Sequence, residues 1–170
     1  MNPSLRIATA CFCRKNNKTL LIDYTNSNHP IHAGKFSPPG GKLELETKDE
    51  NIESGTKREL FEETNILDNS LVYRGVITFL NEKRTINGFP MKHNWEVHFF
   101  DCFNFDESKA KCEEGKISWI ENDEVMNLPL HEGDKIMWEW LNKYKEIEAE
   151  IIHTGEKLTR STINSYVPFD

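Results

Sequence analysis

What the chain lacks narrows it first. It has no apolar run of membrane-spanning length, and its opening residues, MNPSLRIATACFC, contain no basic stretch followed by a long apolar one. The expectation is a cytoplasmic protein with no membrane partner. Cations are outnumbered, with 21 Lys+Arg against 28 Asp+Glu and a net charge of −7. A protein that coats DNA or RNA needs a basic surface, so no stable nucleic-acid complex is expected. A small anionic ligand held by a metal ion and a few local cations is compatible with the acidic whole. Cysteine is scarce, and Cys11, Cys13, Cys102 and Cys112 include no CxxC pair, which points away from zinc. Cys11 and Cys13 share one strand face at a spacing that strains a mutual disulfide, so buried thiols in a reducing compartment are expected. No repeat, low-complexity tract or linker interrupts the chain, and residues 1–170 read as one domain, monomeric or homodimeric.

What is present reads mostly as strands. LRIATACFC (5–13) and TLLIDY (19–24) flank the turn KNNK (15–18) and predict a hairpin. A polar loop (25–35) leads to FSPPGGK (36–42), where two prolines forbid a helix and two glycines allow close backbone approach. The segment 43–51 is acidic and irregular. A helix is expected from Ile52 to about Thr64, with Asn51 as N-cap and Asn65 ending it in a left-handed conformation. Gly55 inside it costs roughly 1 kcal/mol relative to alanine, so the helix must be held by its surroundings. Strands follow at 70–80, 95–105 and 115–120, joined by a polar segment (81–94) between the first two. Ile136, Met137, Trp140, Leu141 and Tyr144 recur at helical spacing over 133–144, and the tryptophans read as core. AEIIHTGEKLTR (149–160) reads as a strand, a Thr-Gly turn and a return. Strands dominate around one central and one late helix, which places the chain in the α/β (α+β) class, as α+β or a mixed α/β/α sandwich.

The densest chemistry lies in KRELFEETNI (57–66). Glu59 and Glu63 fall roughly 40° apart on a helix, and Glu62 about 60° to the other side of Glu59. Leu60 and Phe61 point elsewhere. Such an acidic arc is either a solvated face paired with Lys57 and Arg58, or a set of carboxylates converging on a divalent cation. Mg²⁺ and Mn²⁺ prefer oxygen ligands of this kind. The Pro-Pro-Gly-Gly turn just upstream could add a backbone carbonyl.

The stretch GGKLELETKDENIESGTKRELFEETNI (40–66) resembles the Nudix box, G-x5-E-x7-R-E-U-x-E-E-x-G-U with U a bulky aliphatic. Gly41 matches the opening glycine. Glu50, seven residues, and Arg58-Glu59-Leu60 match the middle, and Glu62-Glu63 and Ile66 close it. Eight residues separate Gly41 from Glu50 where the motif has five, and Asn65 stands where glycine is usual. A second alignment runs Gly40-x5-Glu46 but puts Arg58 out of register, so Glu50 is preferred. The resemblance implies a Nudix-like α/β/α sandwich around a central mixed sheet. It also implies a metal-dependent hydrolase of a nucleoside diphosphate linked to another moiety. Carried over, Glu59, Glu62 and Glu63 would bind Mg²⁺ or Mn²⁺ with a carbonyl at Gly40 or Gly41. Arg58 would orient a helix glutamate, and Glu50 would be its structural partner. The general base would be Glu59, or a glutamate outside the box such as Glu96 or Glu113.

Substrate choice must come from outside the box. KFSPPGGK and EEGKISWIENDEVMNLPLHEGDK (113–135) are similar to segments of relatives acting on oxidised purine nucleoside triphosphates such as 8-oxo-dGTP. That likeness implies Ser37 near a purine edge and His131, Glu132 and Asp134 on its other side. Phe36 and His131 would offer ring faces, and Lys35 and Lys42 would meet phosphates. HEGDK is equally readable as a helix entry, with Asp134 a first-turn acid. His29 and His32 are expected to bind no metal, and His98 to be a packed strand residue. The expected reaction is hydrolysis of a nucleoside triphosphate to monophosphate and pyrophosphate, in nucleotide-pool sanitation. A pyrophosphatase for ADP-ribose, a dinucleotide or an RNA 5′ end, and a Nudix-fold nucleotide sensor without hydrolysis, stand as alternatives.

Overall fold

A computed structural model describes residues 4–45, 50–68, 70–86 and 88–170. The expected first hairpin is present as β1 (Ser4–Lys15) and β2 (Lys18–Asp23). Asn16 and Asn17 turn it, both at positive φ (52° and 60°), a conformation asparagine tolerates better than most side chains. The proline-glycine segment, expected not to be helical, supplies two short strands, β3 (Phe36–Ser37) and β4 (Gly40–Lys42). They pair with β2 and β1. Residues 46–49 lie outside the described residues, and with them Glu46 of the second alignment.

Helix α1 (Ile52–Thr64) has the expected limits. Asn51 accepts from the Ser54 amide, Ser54 returns a bond from the Asn51 amide, and Asn65 closes the helix at φ 57°. The reciprocal pair satisfies two helix-end donors that would otherwise need water. Next come β5 (Leu67–Asp68), β6 (Leu71–Glu82), β7 (Thr85–Ile86), β8 (Phe89–Pro90), β9 (His93–Cys102), β10 (Phe105–Asp106) and β11 (Lys116–Glu121). A 3₁₀ turn (Val125–Asn127) precedes helix α2 (Glu132–Lys143). Strands β12 (Tyr144–Thr154) and β13 (Lys157–Pro168) form the late hairpin, longer than the apolar pattern suggested and turned at Gly155 (φ 63°).

The main sheet runs β11-β2-β1-β9-β6-β12-β13 and is mixed. β1 with β9 and β6 with β12 are parallel, while the neighbours β6 and β9 are antiparallel. Strand alternation sorts side chains onto two faces. Cys11 and Cys13 of β1 and Phe100 and Cys102 of β9 pack with Leu60 of α1. Phe12 of β1 and Phe99 of β9 pack with Met137, Trp138 and Leu141 of α2. The two helices therefore cover opposite faces, and the α/β/α expectation holds.

Two polar devices hold the layers. Thr9 and Thr56 share a 2.7 Å hydroxyl hydrogen bond that ties α1 to the central strand. Asp101 pairs with Arg14 (2.7 Å) and with Arg74. Arg74 also donates to the carbonyls of Leu141, Tyr144 and Lys145, where α2 ends. His98 is packed and satisfied as expected, between Glu96 (2.9 Å) and Tyr73 (3.1 Å).

Candidate active site

The arginine of the charged helix is committed rather than solvated. Arg58 holds Glu50 in a two-pronged pair, Nε to Oε2 and Nη2 to Oε1, each 2.9 Å. Glu50 is nearly sealed and also accepts from the Glu44 amide at 2.7 Å. Gly55 explains itself here. A Cβ at that position would sit 3.0 Å from Glu50 Oε1 and 2.7 Å from Leu43 Cδ2, so the mid-helix glycine makes room for the pair. The Glu50 carboxylate, joined by Glu59, holds Arg58 protonated well above the usual arginine range.

The other prong of Arg58, Nη1, donates to Glu59 (2.7 Å) and to Glu62 (3.0 Å). Glu59 lies against Gly41. A Cβ on Gly41 would fall 2.0 Å from Glu59 Oε2, so the glycine leaves the carboxylate its place. Glu63 turns away from this pair. Its Oε2 accepts from the Gly40 amide at 2.6 Å and its Oε1 from the Tyr24 hydroxyl at 3.3 Å. Burial pushes the Glu63 carboxyl up to about 7 against those two donors, and burial raises Glu59 as well. Glu62 stays half exposed. The three carboxylates thus lie along one helix flank without meeting at one point.

Beside this flank is a cavity of about 360 Å³. Ala8 and Ala10 of β1, Val97 and Phe99 of β9, and Met137 of α2 form its apolar walls. Glu63, Gly40, Gly41 and Lys42 border it on the side of the box. Ser37 lines it too, its hydroxyl donating to Pro38 O at 3.4 Å. A second polar group lines the same cavity: His131, Asp134, Arg84, Asn81 and His153. Burial pushes the Asp134 carboxyl up to about 7 against the pull of Arg84 and Lys35, and holds His131 and His153 down at about 4.

One wall is a stack of rings that sequence reasoning missed. Tyr24 lies 5.0 Å from His29 and 5.3 Å from His32, centroid to centroid, and the two imidazoles stack at 4.7 Å. His32 Nδ1 reaches His131 Nε2 at 3.3 Å. His29 Nδ1 accepts the amides of Ile31 (3.2 Å) and His32 (3.0 Å), so its proton sits on Nε2, which faces Glu114 at 3.5 Å. The closely spaced rings of 24–32 were the only available signal.

Several expected residues lie elsewhere. Phe36 offers no ring face to the cavity. It packs into the α2 side of the core, because β3 pairs with β2 and turns it inward. Glu113 is 88% exposed beside Lys111 and lies outside the cavity. Its neighbour Glu114 is the one whose charge bears on Tyr24 and Glu63. Glu96 bonds His98, and the cavity is lined by the residues on either side of it, Trp95 and Val97. The scattered cysteines also converge: the sulfurs of Cys11, Cys13 and Cys102 lie within 4.8 Å of one another, sealed on the α1 face. Sequence spacing conceals this, since Cys102 arrives by the register of β9 on β1.

A family profile described as the NUDIX domain matches residues 4–142, most of the chain. The chain belongs to the Nudix hydrolase family. An uncharacterised Nudix hydrolase of Bacillus subtilis (strain 168), YvcI, is 26% identical over 140 residues, covering 82% of this chain and 80% of that protein. A MutT protein of Bacillus halodurans superposes with a TM-score of 0.74 at 23% identity, over 94% of this chain and 97% of its own. A MutT protein of Methanosarcina mazei Go1 does so at 0.63 and 19%, over 84% and 96%. The Nudix domain of Shewanella oneidensis NrtR, solved with ADP ribose, reaches 0.54 and 18%, over 84% and 89%. At these identities the solved structures speak to the fold: a mixed central sheet between two helices.

Nudix hydrolases use divalent metal ions. The donors here suit one. They are all oxygen, which Mg²⁺ and Mn²⁺ prefer. Glu59 and Glu63 are partly desolvated carboxylates held above their usual range, a condition a cation relieves. Gly41, which lines the cavity, leaves room beside it for the Glu59 carboxylate.

Proposed function

We propose that this Nudix hydrolase cleaves a nucleoside triphosphate to the monophosphate and pyrophosphate, with an oxidised purine nucleotide such as 8-oxo-dGTP as substrate, and so serves nucleotide-pool sanitation. The observation that carries the reading is a single cavity bordered by Gly40 and Gly41 of β4 and Glu63 on one side and by His131 and Asp134 on the other. A nucleotide needs both: oxygen donors for its phosphates, and ring faces with edge partners for its base.

In this reading Glu59, Glu62 and Glu63 hold Mg²⁺ or Mn²⁺, helped by a backbone carbonyl at Gly41. The bound ion supplies charge to polarise phosphoryl oxygens and to acidify water. Arg58 sets the orientation of Glu59 and Glu62 through its Nη1, and Glu50 fixes Arg58. Glu59 is the general base. Lys42 meets the phosphates. The rings of Tyr24, His29, His32 and His131 give the base its stacking wall, a role expected of Phe36. Ser37 and Asp134 bond the purine edge.

The test is pyrophosphate release from 8-oxo-dGTP, dGTP, other triphosphates and ADP-ribose, in Mg²⁺, in Mn²⁺ and in EDTA. Turnover of 8-oxo-dGTP above dGTP, abolished by EDTA, is expected. Equal turnover of the two removes the oxidised-substrate claim, and no turnover of any triphosphate removes the reaction. Glu62→Gln should lower kcat by about 10²-fold or more with the melting temperature kept. Near-normal activity would refute its assigned role.

A further inference from the structure

Arg84 is a cation inside the cavity that has no carboxylate in hydrogen-bond reach among the described residues. Its one side-chain bond is from Nη1 to Asn81 Oδ1 at 3.2 Å, which leaves the rest of its donor fork uncommitted. Burial lowers its pKa, with Asp134 and Glu132 acting on it only at range. Asn81 is itself buried and fixed. Its amide donates to His93 O at 2.7 Å, and its backbone N–H donates to Asn94 Oδ1 at 2.9 Å.

The late hairpin, beyond the family-matched residues 4–142, builds the surroundings of Arg84. The Gly155 amide donates to Glu82 O (3.0 Å), the Thr85 amide to Gly155 O (3.3 Å), and Thr154 Oγ1 to Glu82 Oε2 (3.1 Å). These bonds bracket Arg84 on both sides in sequence. The same hairpin contributes His153, which is 2% exposed, lines the cavity and has no partner on either ring nitrogen among the described residues. Gly133 admits it: a Cβ there would stand 3.1 Å from Phe79 Cε1 and 3.3 Å from His153 Cε1. Asp134, next in the chain, makes no side-chain hydrogen bond among the described residues. An uncommitted cation, an uncommitted acid and an unpartnered imidazole thus line one cavity, which calls for a ligand edge carrying both acceptors and donors.

We propose that Arg84, held in place by the C-terminal hairpin and flanked by His153 and Asp134, selects 6-keto purine nucleotides over 6-amino purine nucleotides. The inference rests on the nucleotide reading above and assigns the residue that reads its base. A guanine-type ring carries an acceptor at O6, with N–H donors alongside at N1 and the exocyclic amine. Arginine donors meet O6, and a carboxylate meets the N–H groups. An adenine-type ring turns an amino group toward Arg84, donor against donor. Oxidation at C8 leaves O6 in place, so the selection applies to guanine and 8-oxoguanine alike.

Binding of GMP and AMP, measured calorimetrically in EDTA, tests this without hydrolysis. The wild-type chain should bind GMP at least about tenfold more tightly than AMP, the scale of one good base-edge contact. Arg84→Ala should bring that ratio close to one, and Arg84→Lys should restore part of it. Arg84→Gln serves in place of Arg84→Ala should that variant melt early. In turnover, Arg84→Ala should raise KM for dGTP and leave kcat near wild type. No preference of the wild type for GMP overturns the proposal. So does an equal loss for both nucleotides accompanied by a lower melting temperature, which marks a structural role. GMP selection without triphosphate hydrolysis would retain this inference and overturn the proposed reaction. Hydrolysis without base selection would do the reverse.

Discussion

Gly41→Ala separates the chemistry of the box from its architecture. The added Cβ would lie 2.0 Å from Glu59 Oε2 and 2.5 Å from Glu59 Cδ, whereas ordinary contact begins at 3.4 Å. The carboxylate must therefore retreat by about 1.4 Å, the difference between the first and last of these distances. It is the end of a flexible side chain, so the fold survives. The foreseeable structural cost is the part-buried hydrogen bond from Arg58 Nη1, about 1.5–3 kcal/mol for a bond to a charged group. A misplacement of that size at a catalytic carboxylate costs on the order of 10²-fold in rate. Gly40→Ala is the contrasting control. Its Cβ would fall 2.0 Å from Thr9 O and 2.8 Å from Ala10 Cα, backbone atoms of the central strand, and β4 would have to leave β1. Steady-state pyrophosphate release in Mg²⁺, beside thermal melts of both variants, is the assay. Gly41→Ala should lose activity and keep its melting temperature within a few degrees, while Gly40→Ala should lose both. Wild-type kcat in Gly41→Ala would refute the placement of Glu59 as a working carboxylate. Matching melting losses in the two variants would refute the idea that Gly41 serves the side chain rather than the sheet.

Two further outcomes follow from buried charge. Asp101→Ala leaves Arg14 and Arg74 without their shared carboxylate, and urea unfolding should show a loss of about 3–5 kcal/mol; a loss under about 1 kcal/mol would contradict the pairing. The three buried imidazoles should each cost stability as pH drops from about 6.5 to 4. Burial holds His32 down at about 3 and His131 and His153 at about 4, so each takes up a proton on unfolding in that window. Asp134 and Glu63, each raised to about 7, act with the opposite sign, as does Glu59, which burial raises as well: the contribution of the first two is present below about 4 and is lost as pH rises toward 7. Asp134→Asn should therefore be more stable than the parent chain at pH 8 and lose that advantage as pH falls to 4, and a difference between the two urea midpoints that stays constant from pH 4.5 to 8 would refute the raised Asp134 carboxyl.

Local chemistry made much of this protein readable before any fold. The limits of α1 follow from Asn51 and Asn65, and the first turn from Asn16 and Asn17, because capping and positive φ are decided within a few residues. The acidic arc and its arginine follow from helical spacing, and the resemblance to the Nudix box implied Glu50 as the partner of Arg58, a pair that the structure closes at 2.9 Å. Gly55, a liability to the helix by propensity, is resolved by a contact with Glu50 that only the folded chain makes.

What no local rule supplies is which distant residues meet. Phe36 carries the composition of a stacking ring and lies in the core, because strand pairing turned it inward. His29 and His32 looked like loop residues and form a ring wall with nearby Tyr24 and with His131, which lies 99 residues beyond His32. Glu114 rather than Glu113 reaches the site, a difference of one residue that side-chain direction alone decides. Cys102 joins Cys11 and Cys13 through the parallel register of β9 on β1, and His153 enters the cavity because β12 pairs with β6. The sequence by itself determined the box, its caps and its charge. Tertiary structure decided the far side of the cavity, because strand register and the packing of α2 are set by the whole core at once and leave no signature within a short window of residues.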